Sequence, residues 1–282
     1  MKNWKIGIFL STLFILNSIV WGVILFDHRD FGAQVYFLDV GQGDSQLVKA
    51  DGANFLIDAG RNDVVLDNLE KILPFYGKKI DLIFLSHAQQ DHAGGVFELI
   101  KNYGVGAVIY NGEKISVWEP LSDVLNENKI PYFSLAAGDS VGFGENVFKI
   151  IWPESGFLEG KHDENDASLV VKFENGTFSS LFAGDISSKA EKALTKILAV
   201  KADILKVPHH GSKYSSSAEF LEAVSPKISV IEVGKNSYGH PTDEALERLK
   251  NVGSQIFRTD RDGIVKVFYQ DGFIKVSNSS VY

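Results

Sequence analysis

Hydrophobic positions along the chain fall into three kinds of run. The first is continuous: from Ile6 to Phe26 no residue carries a charge. At about 1.5 Å per residue, a helix over this run is long enough to cross a hydrocarbon core. Lys2 and Lys5 precede it, and Asp27, Arg29 and Asp30 follow. Positive charge on the N-terminal side places that end in the cytoplasm and the remainder outside. A cleaved signal peptide is the rival reading. Its apolar core is normally about 7–15 residues with a small-residue cleavage site, and Trp21–Phe26 offers none. The expectation is a single-pass, uncleaved anchor over residues 1–30, with a folded domain over 34–282 on the outer face of the cell membrane.

The second kind of run alternates or is short and apolar, and reads as strand. Gln34–Val40, Ser45–Ala50 and Asn54–Asp58 follow one another, separated by the Gly41-Gln42-Gly43-Asp44 and Asp51-Gly52 turns. Further strands are expected at Ile80–Leu85, Val105–Tyr110, near Val141, and at Val147–Trp152, Ile204–Val207 and Ile228–Val233. Ser168–Phe173 and Thr177–Phe182 flank Glu174-Asn175-Gly176. Asn-Gly there predicts a hairpin with a type I′ turn, which needs positive φ at both central residues. The third kind has helical periodicity: Asn62–Phe75, Val96–Tyr103, Val117–Asn126, Ser187–Val200 and Thr242–Asn251, with Thr242 as an N-cap. The chain is expected to close on a β pair around Arg261-Asp262-Gly263. Strands first, then strand–helix units, a hairpin and more strand–helix units predict two mixed sheets with helices on their outer faces.

Composition narrows the chemistry. The 282 residues include no cysteine, so disulfides and thiolate metal sites are excluded. The net charge of −8 argues against broad coating of nucleic acid. The charge is uneven: residues 201–282 carry 11 Lys and Arg against 10 Asp and Glu, the remainder 17 against 26. An anionic substrate is better received by the C-terminal third.

Candidate chemistry gathers where strands end. Ser86-His87-Ala88-Gln89-Gln90-Asp91-His92-Ala93-Gly94-Gly95 joins the strand Ile80–Leu85 to the next helix. Ligands of open α/β sheets bind at such strand ends, and imidazole with carboxylate suits a divalent cation. Asp58, Asp185, His209, His210 and His240 stand at or just past other strand ends in glycine-flanked loops, so all of them could converge. Each also has a plain structural reading: the aspartates as turn residues, His209 and His210 as a helix-entry loop, His240 as a surface residue before Pro241. His162, in a charged loop, reads as solvated.

Taken together, Phe37–Asp44, the Ser86–Gly95 loop, Leu181-Phe182-Ala183-Gly184-Asp185-Ile186, Leu205–Ser212 and Tyr238-Gly239-His240-Pro241 resemble the metallo-β-lactamase superfamily, and within it the ComEC-type competence hydrolase domains. The resemblance covers Gln34 to the C-terminus. It implies a four-layer αββα sandwich with one or two divalent metal ions, zinc or manganese, between the sheets. It further implies hydrolysis of a phosphodiester, DNA among the candidates. By it His87 binds a first metal and Asp91 and His92 a second, Asp185 bridges them, and His210 is a further ligand. His209 and His240 contact the scissile phosphate or leaving group, and Asp58 holds the ligand loop. Asn165 and Asp166 stand where much of the superfamily supplies another ligand. Gln89 takes the place of the second histidine of His-x-His-x-Asp-His, as a weaker neutral donor. Asp91 is the residue expected to orient or deprotonate water, and His240 to serve as acid or anion contact. Two other functions fit the same residues: an anchored binding module that has lost a metal, and a hydrolase of another ester, such as a phosphocholine ester of a cell-wall polymer.

Overall fold

The computed structural model describes residues 3–27, 32–74, 77–114, 117–196 and 198–279. The chain divides into two units, Met1–Gly32 and Ala33–Tyr282. The first holds helix α1 (Asn3–Asp27), on which Ile8, Phe9, Phe14 and Trp21 are among the exposed apolar side chains. Counted over the residues whose side chains are described, no helix is long and apolar enough to cross a membrane. Arg29 and Asp30, expected to flank the anchor, lie outside the described residues.

The second unit begins with β1 (Gln34–Phe37), β2 (Gln46–Ala50), β3 (Ala53–Ile57), α2 (Val64–Ile72), β4 (Lys79–Phe84), α3 (Gln90–Ala93) and α4 (Val96–Asn102). It continues through β5 (Gly104–Tyr110), α5 (Trp118–Glu127), β6 (Tyr132–Ser134), β7 (Ser140–Phe143), β8 (Asn146–Trp152), β9 (Val170–Glu174), β10 (Ser179–Phe182) and α6 (Ser188–Leu194). It ends with β11 (Ile204–Lys206), α7 (Ala218–Val224), β12 (Ile228–Ile231), α8 (Asp243–Asn251), β13 (Gln255–Arg258), α9 (Thr259–Asp262), β14 (Val265–Gln270) and β15 (Phe273–Asn278). One sheet has the order β15-β14-β1-β2-β3-β4-β5-β6, the other β13-β12-β11-β10-β9-β8-β7. Both are mixed: β3 to β6 and β10 to β13 run parallel, and the remaining pairs antiparallel.

Strand alternation builds three apolar layers. Val35, Phe37, Phe55, Ile57 and Phe84 face Phe148, Val171, Phe173 and Phe182 between the sheets. Phe148 is the centre of this layer, with ring centroids 4.8 Å from Phe55, 5.0 Å from Phe84 and 4.9 Å from Phe173. The opposite faces, through Leu47, Leu56 and Ile83 in one sheet and Leu181, Leu205 and Ile231 in the other, pack under outer helices. Each buried side chain of this size contributes about 1.5–3 kcal/mol. Helix, sheet, sheet and helix make the four layers expected.

Local departures have physical causes. Glu174 pairs with Ser179, so the β9–β10 loop has four residues and Asn175 does not take positive φ. The Asn175 side-chain oxygen instead accepts from the Thr177 N–H and hydroxyl and from the Phe178 N–H, fixing the turn itself. Two-residue loops with positive φ at both positions occur at Asp51-Gly52 and Asp271-Gly272. The closing β pair therefore turns at Asp271-Gly272, and Arg261-Asp262 belong to α9. The helix expected over Ser187–Val200 ends at Leu194 and resumes only as a short turn, Leu198–Val200.

Candidate metal centre

The carboxyl ends of β3, β4, β10, β11 and β12 meet between the two sheets. From β3, Asp58 adopts a left-handed conformation with φ 56°. Its carboxylate accepts from the Ser86 N–H at 2.8 Å and the Ser86 hydroxyl at 2.7 Å, and lies 2.9 Å from His92 Nδ1. That contact places the proton on Nδ1 and leaves Nε2 of His92 free to face the centre. His87 Nδ1 lies 3.0 Å from the Ser86 hydroxyl, so its Nε2 also turns inward. From β12, the Glu232 carbonyl accepts from His210 Nδ1 at 2.9 Å. Nε2 of His87, His92 and His210 are all buried without a hydrogen-bond partner.

The loop after β11 achieves its reversal with His209, His210 and Gly211 all left-handed, at φ 50°, 53° and 79°. Side-chain residues held there are strained and cluster at functional sites. Gly211 is required: a Cβ would stand 2.6 Å from Cβ of Pro241. Gly43 is required on the other side, because a Cβ would stand 2.4 Å from the Asp91 carbonyl oxygen. Asp44 and Asp91 are tied there, the Asp44 N–H donating to that carbonyl at 3.2 Å.

Asp185, after β10, sits at the middle. Its Oδ2 lies 3.5 Å from His92 Nε2 and 3.4 Å from His210 Nε2. Ligand atoms of His87, His92 and Asp185 lie within 4.8 Å of one another, as do those of Asp91, His92 and His210. Asp91 is half-buried, with Oδ2 3.9 Å from His210 Nε2. Burial and the neighbouring His92 push the His87 imidazole down to about 3, so it is neutral at pH 7 and free to ligate. Burial opposes charge on His92, but Asp185, Asp44 and Asp58 outweigh it and raise its pKa well above the ordinary value. Surroundings that favour a proton there equally favour a cation. Atoms bonded to a tetrahedral ion at about 2.0–2.2 Å stand about 3.4 Å apart. Orphaned imidazole nitrogens at this spacing around a carboxylate fit a divalent metal.

His209 and His240 form the rim. Both are half-buried, with ring centroids 5.7 Å apart, and His240 Nδ1 is buried without a partner. Burial and the neighbouring His209 and His210 lower the His240 pKa. The Gln89 amide nitrogen donates to Asn165 at 2.9 Å and Glu164 at 3.2 Å, joining the loop before β9 to the rim. Asp166 stands in none of these ligand groups: its carboxylate accepts from the Ser187 N–H at 2.9 Å, and its carbonyl from the Trp152 indole. His162 is partly exposed and also bound: its Nε2 stands 2.7 Å from Glu113 and its Nδ1 2.8 Å from the Gly160 carbonyl.

Sequence reasoning assigned no role to Asp44, Lys206 and Glu232. Lys206 is 1% exposed. Its ammonium donates to the Gly184 carbonyl at 2.9 Å, stands 3.4 Å from Asp185 Oδ1, and forms a close ion pair with Asp44. Burial alone would lower it, but Asp44 and Asp185 raise its pKa above the ordinary lysine value. Lys206 thus takes one oxygen of Asp185 and leaves Oδ2 to the imidazoles. Glu232, raised well above the carboxylate range by burial and by Asp44, accepts from the Ser45 N–H of one sheet at 3.0 Å while belonging to the other. The available signal was Lys206 itself, a charge inside the apolar strand Ile204-Leu205-Lys206-Val207.

A two-sheet sandwich with a histidine–aspartate cluster at its strand ends defines a metal-dependent hydrolase fold. The chain belongs to the metallo-beta-lactamase superfamily, whose family model matches residues 38–234. It is 31% identical over 273 residues to "ComE operon protein 3" of Bacillus subtilis, covering 88% of this chain and 34% of that protein. It is 30% identical over 279 residues to "Recombination protein 2" of Haemophilus influenzae, covering 96% of this chain and 33% of that protein. The chain thus spans about a third of the length of these relatives. Among solved structures it is similar to the metallo-beta-lactamase fold protein YhfI of Bacillus subtilis, with TM-score 0.58, 12% identity, and coverage of 87% of this chain and 100% of that one. These matches bear out the resemblance to the superfamily and to ComEC-type competence domains.

Proposed function

We propose that this chain is a metal-dependent phosphodiesterase, with DNA among its substrates, held at the outer face of the cell membrane by α1. The observation that carries the chemistry is the set of buried, partnerless Nε2 atoms of His87, His92 and His210 around Asp185. With Asp91 these residues would hold the metal, zinc or manganese by their mixed nitrogen and oxygen donors. A bound divalent cation polarises a phosphoryl oxygen and lowers the pKa of water, for zinc to about 7.

The chain's own groups do the rest. Asp91, at the open side of the cluster, orients the attacking water and accepts its proton. His209 and His240 hold the phosphate oxygens, His240 as a neutral N–H donor, and the departing oxygen takes its proton from water. Asp58 and the Glu232 carbonyl fix the rings of His92 and His210. A relative named for recombination supports a DNA substrate. The uncharged run Ile6–Phe26 and the exposed apolar residues of α1 support the anchor.

Purified full chain is expected to cleave bis-p-nitrophenyl phosphate and single-stranded DNA with added manganese or zinc. Asp91→Ala and His92→Ala should each lower the rate at least a hundredfold with the fold intact by circular dichroism. Full activity in either variant would refute the assignment. A binding module lacking one cation is the second reading, favoured by the engagement of Gln89 with Asn165 and Glu164. Purified protein without bound metal, and without turnover on adding either ion, would select it.

A further inference from the structure

We infer that Tyr238 is a stacking platform for a nucleobase of the substrate strand, beside the phosphate-holding pair His209 and His240. The inference rests on the phosphodiesterase reading and names the substrate feature it requires. Tyr238 is 74% exposed. Its ring contact is with His240, at 5.7 Å between centroids and 31° between planes.

The loop that presents it is braced. The Asn236 amide donates to the Gly234 and His240 carbonyls, both at 2.9 Å. Its side-chain oxygen accepts from the Tyr238 N–H at 3.1 Å and the His240 N–H at 3.0 Å. Ordering a backbone this way while leaving a large apolar ring in water does nothing for folding. It does prepare a rigid aromatic face for a ligand at low entropic cost.

The position fits a nucleotide. Rings run in file from the buried centre to this surface: His92 to His210 at 5.8 Å, His210 to His209 at 6.3 Å, His209 to His240 at 5.7 Å, then Tyr238. A phosphate on His209 and His240 is therefore one ring-step from Tyr238, and one sugar separates a phosphate from its base. Every base has a π-face, so one open ring gives affinity without sequence choice. A quaternary ammonium such as choline is gripped instead by a cage of several rings, whereas Tyr238 offers one open face. The exposed Lys213 and Lys235, in the part of the chain whose net charge is positive, suit a strand that continues past the cleaved phosphate.

The test compares oligothymidylate with an abasic oligomer of equal length on the metal-loaded full chain, by steady-state kinetics and by fluorescence anisotropy of slowly cleaved phosphorothioate versions. Tyr238→Ala should raise KM and Kd for oligothymidylate roughly tenfold, within the range of one lost stack. Its kcat should stay unchanged, because stacking is uniform between ground and transition state. The abasic oligomer should be indifferent to the substitution, Tyr238→Phe should behave as the parent, and Phe273→Ala, another exposed aromatic, should change nothing. Unchanged KM and Kd for oligothymidylate in Tyr238→Ala, or equal losses with the abasic oligomer, would overturn the platform. So would a loss of phosphocholine binding with oligothymidylate binding intact. Failure of the phosphodiesterase reading shows separately, as no hydrolysis by the parent chain while anisotropy still reports base-dependent binding.

Discussion

Lys206 is the residue on which the centre's balance of charge turns. Its ammonium is sealed between Asp44 and Asp185, all three side chains being buried. Removing one partner of such a pair strands the other charge and costs about 3–5 kcal/mol. Lys206→Met should therefore lower stability by about that amount, seen as a lower urea midpoint. Adding Asp44→Asn removes the stranded charge, and the double variant should regain most of the loss. A single variant within about 1 kcal/mol of the parent, or a double variant no better than the single, would show that the pair carries no such weight. The candidate ligands His87, Asp91, His92, Asp185 and His210 were legible because each stands in a glycine-containing loop at a strand end. Asp44 and Lys206 were not, because they lie far apart in sequence and no local pattern reports a contact made only when two sheets close.

Elements were legible where packing and local preference agree. Phe55 and Phe84 alternate with outward-facing neighbours because both sheet faces are covered, and the strands appeared near their observed bounds. Thr242 was readable as a cap, and its hydroxyl accepts from the Ala245 N–H at 3.3 Å. The hairpin expected at Asn175-Gly176 is present, but its turn type differs because an asparagine side chain can make a turn that its backbone was expected to make. For α1 the apolar run states the prediction by itself. Ile8, Phe9, Leu13, Phe14 and Trp21 are exposed on it, and continuous apolar surface of this kind marks a membrane or interaction segment. The full chain should stay in the membrane fraction after alkaline carbonate washing, and a chain lacking residues 1–32 should be released. Release of the full chain into the soluble fraction would remove the anchor.

At the scale of the whole fold, the candidate centre is the place where two sheets share one cluster. His87, Asp91 and His92 follow β4 of the first sheet, and Asp185 and His210 follow β10 and β11 of the second. A cation held by both sets binds the assembled sandwich and not the unfolded chain, so its binding free energy adds to folding. At a free metal concentration a hundred times the dissociation constant that addition is about 2.7 kcal/mol. For a domain of this size each kcal/mol moves the melting temperature by roughly 2–4 °C. Chelation should thus lower the melting temperature of the full chain by about 5–10 °C, and restored zinc or manganese should return it. Asp185→Asn removes the carboxylate that faces both His92 and His210 and should abolish the response, while the variant itself melts below the chelated parent because buried Lys206 loses one of its two carboxylates. If the parent melts at one temperature with and without chelator, no cation is held by the folded chain. A response that disappears both with Asp185→Asn and with His92→Ala places the ion between the sheets, since the two residues follow strands of different sheets.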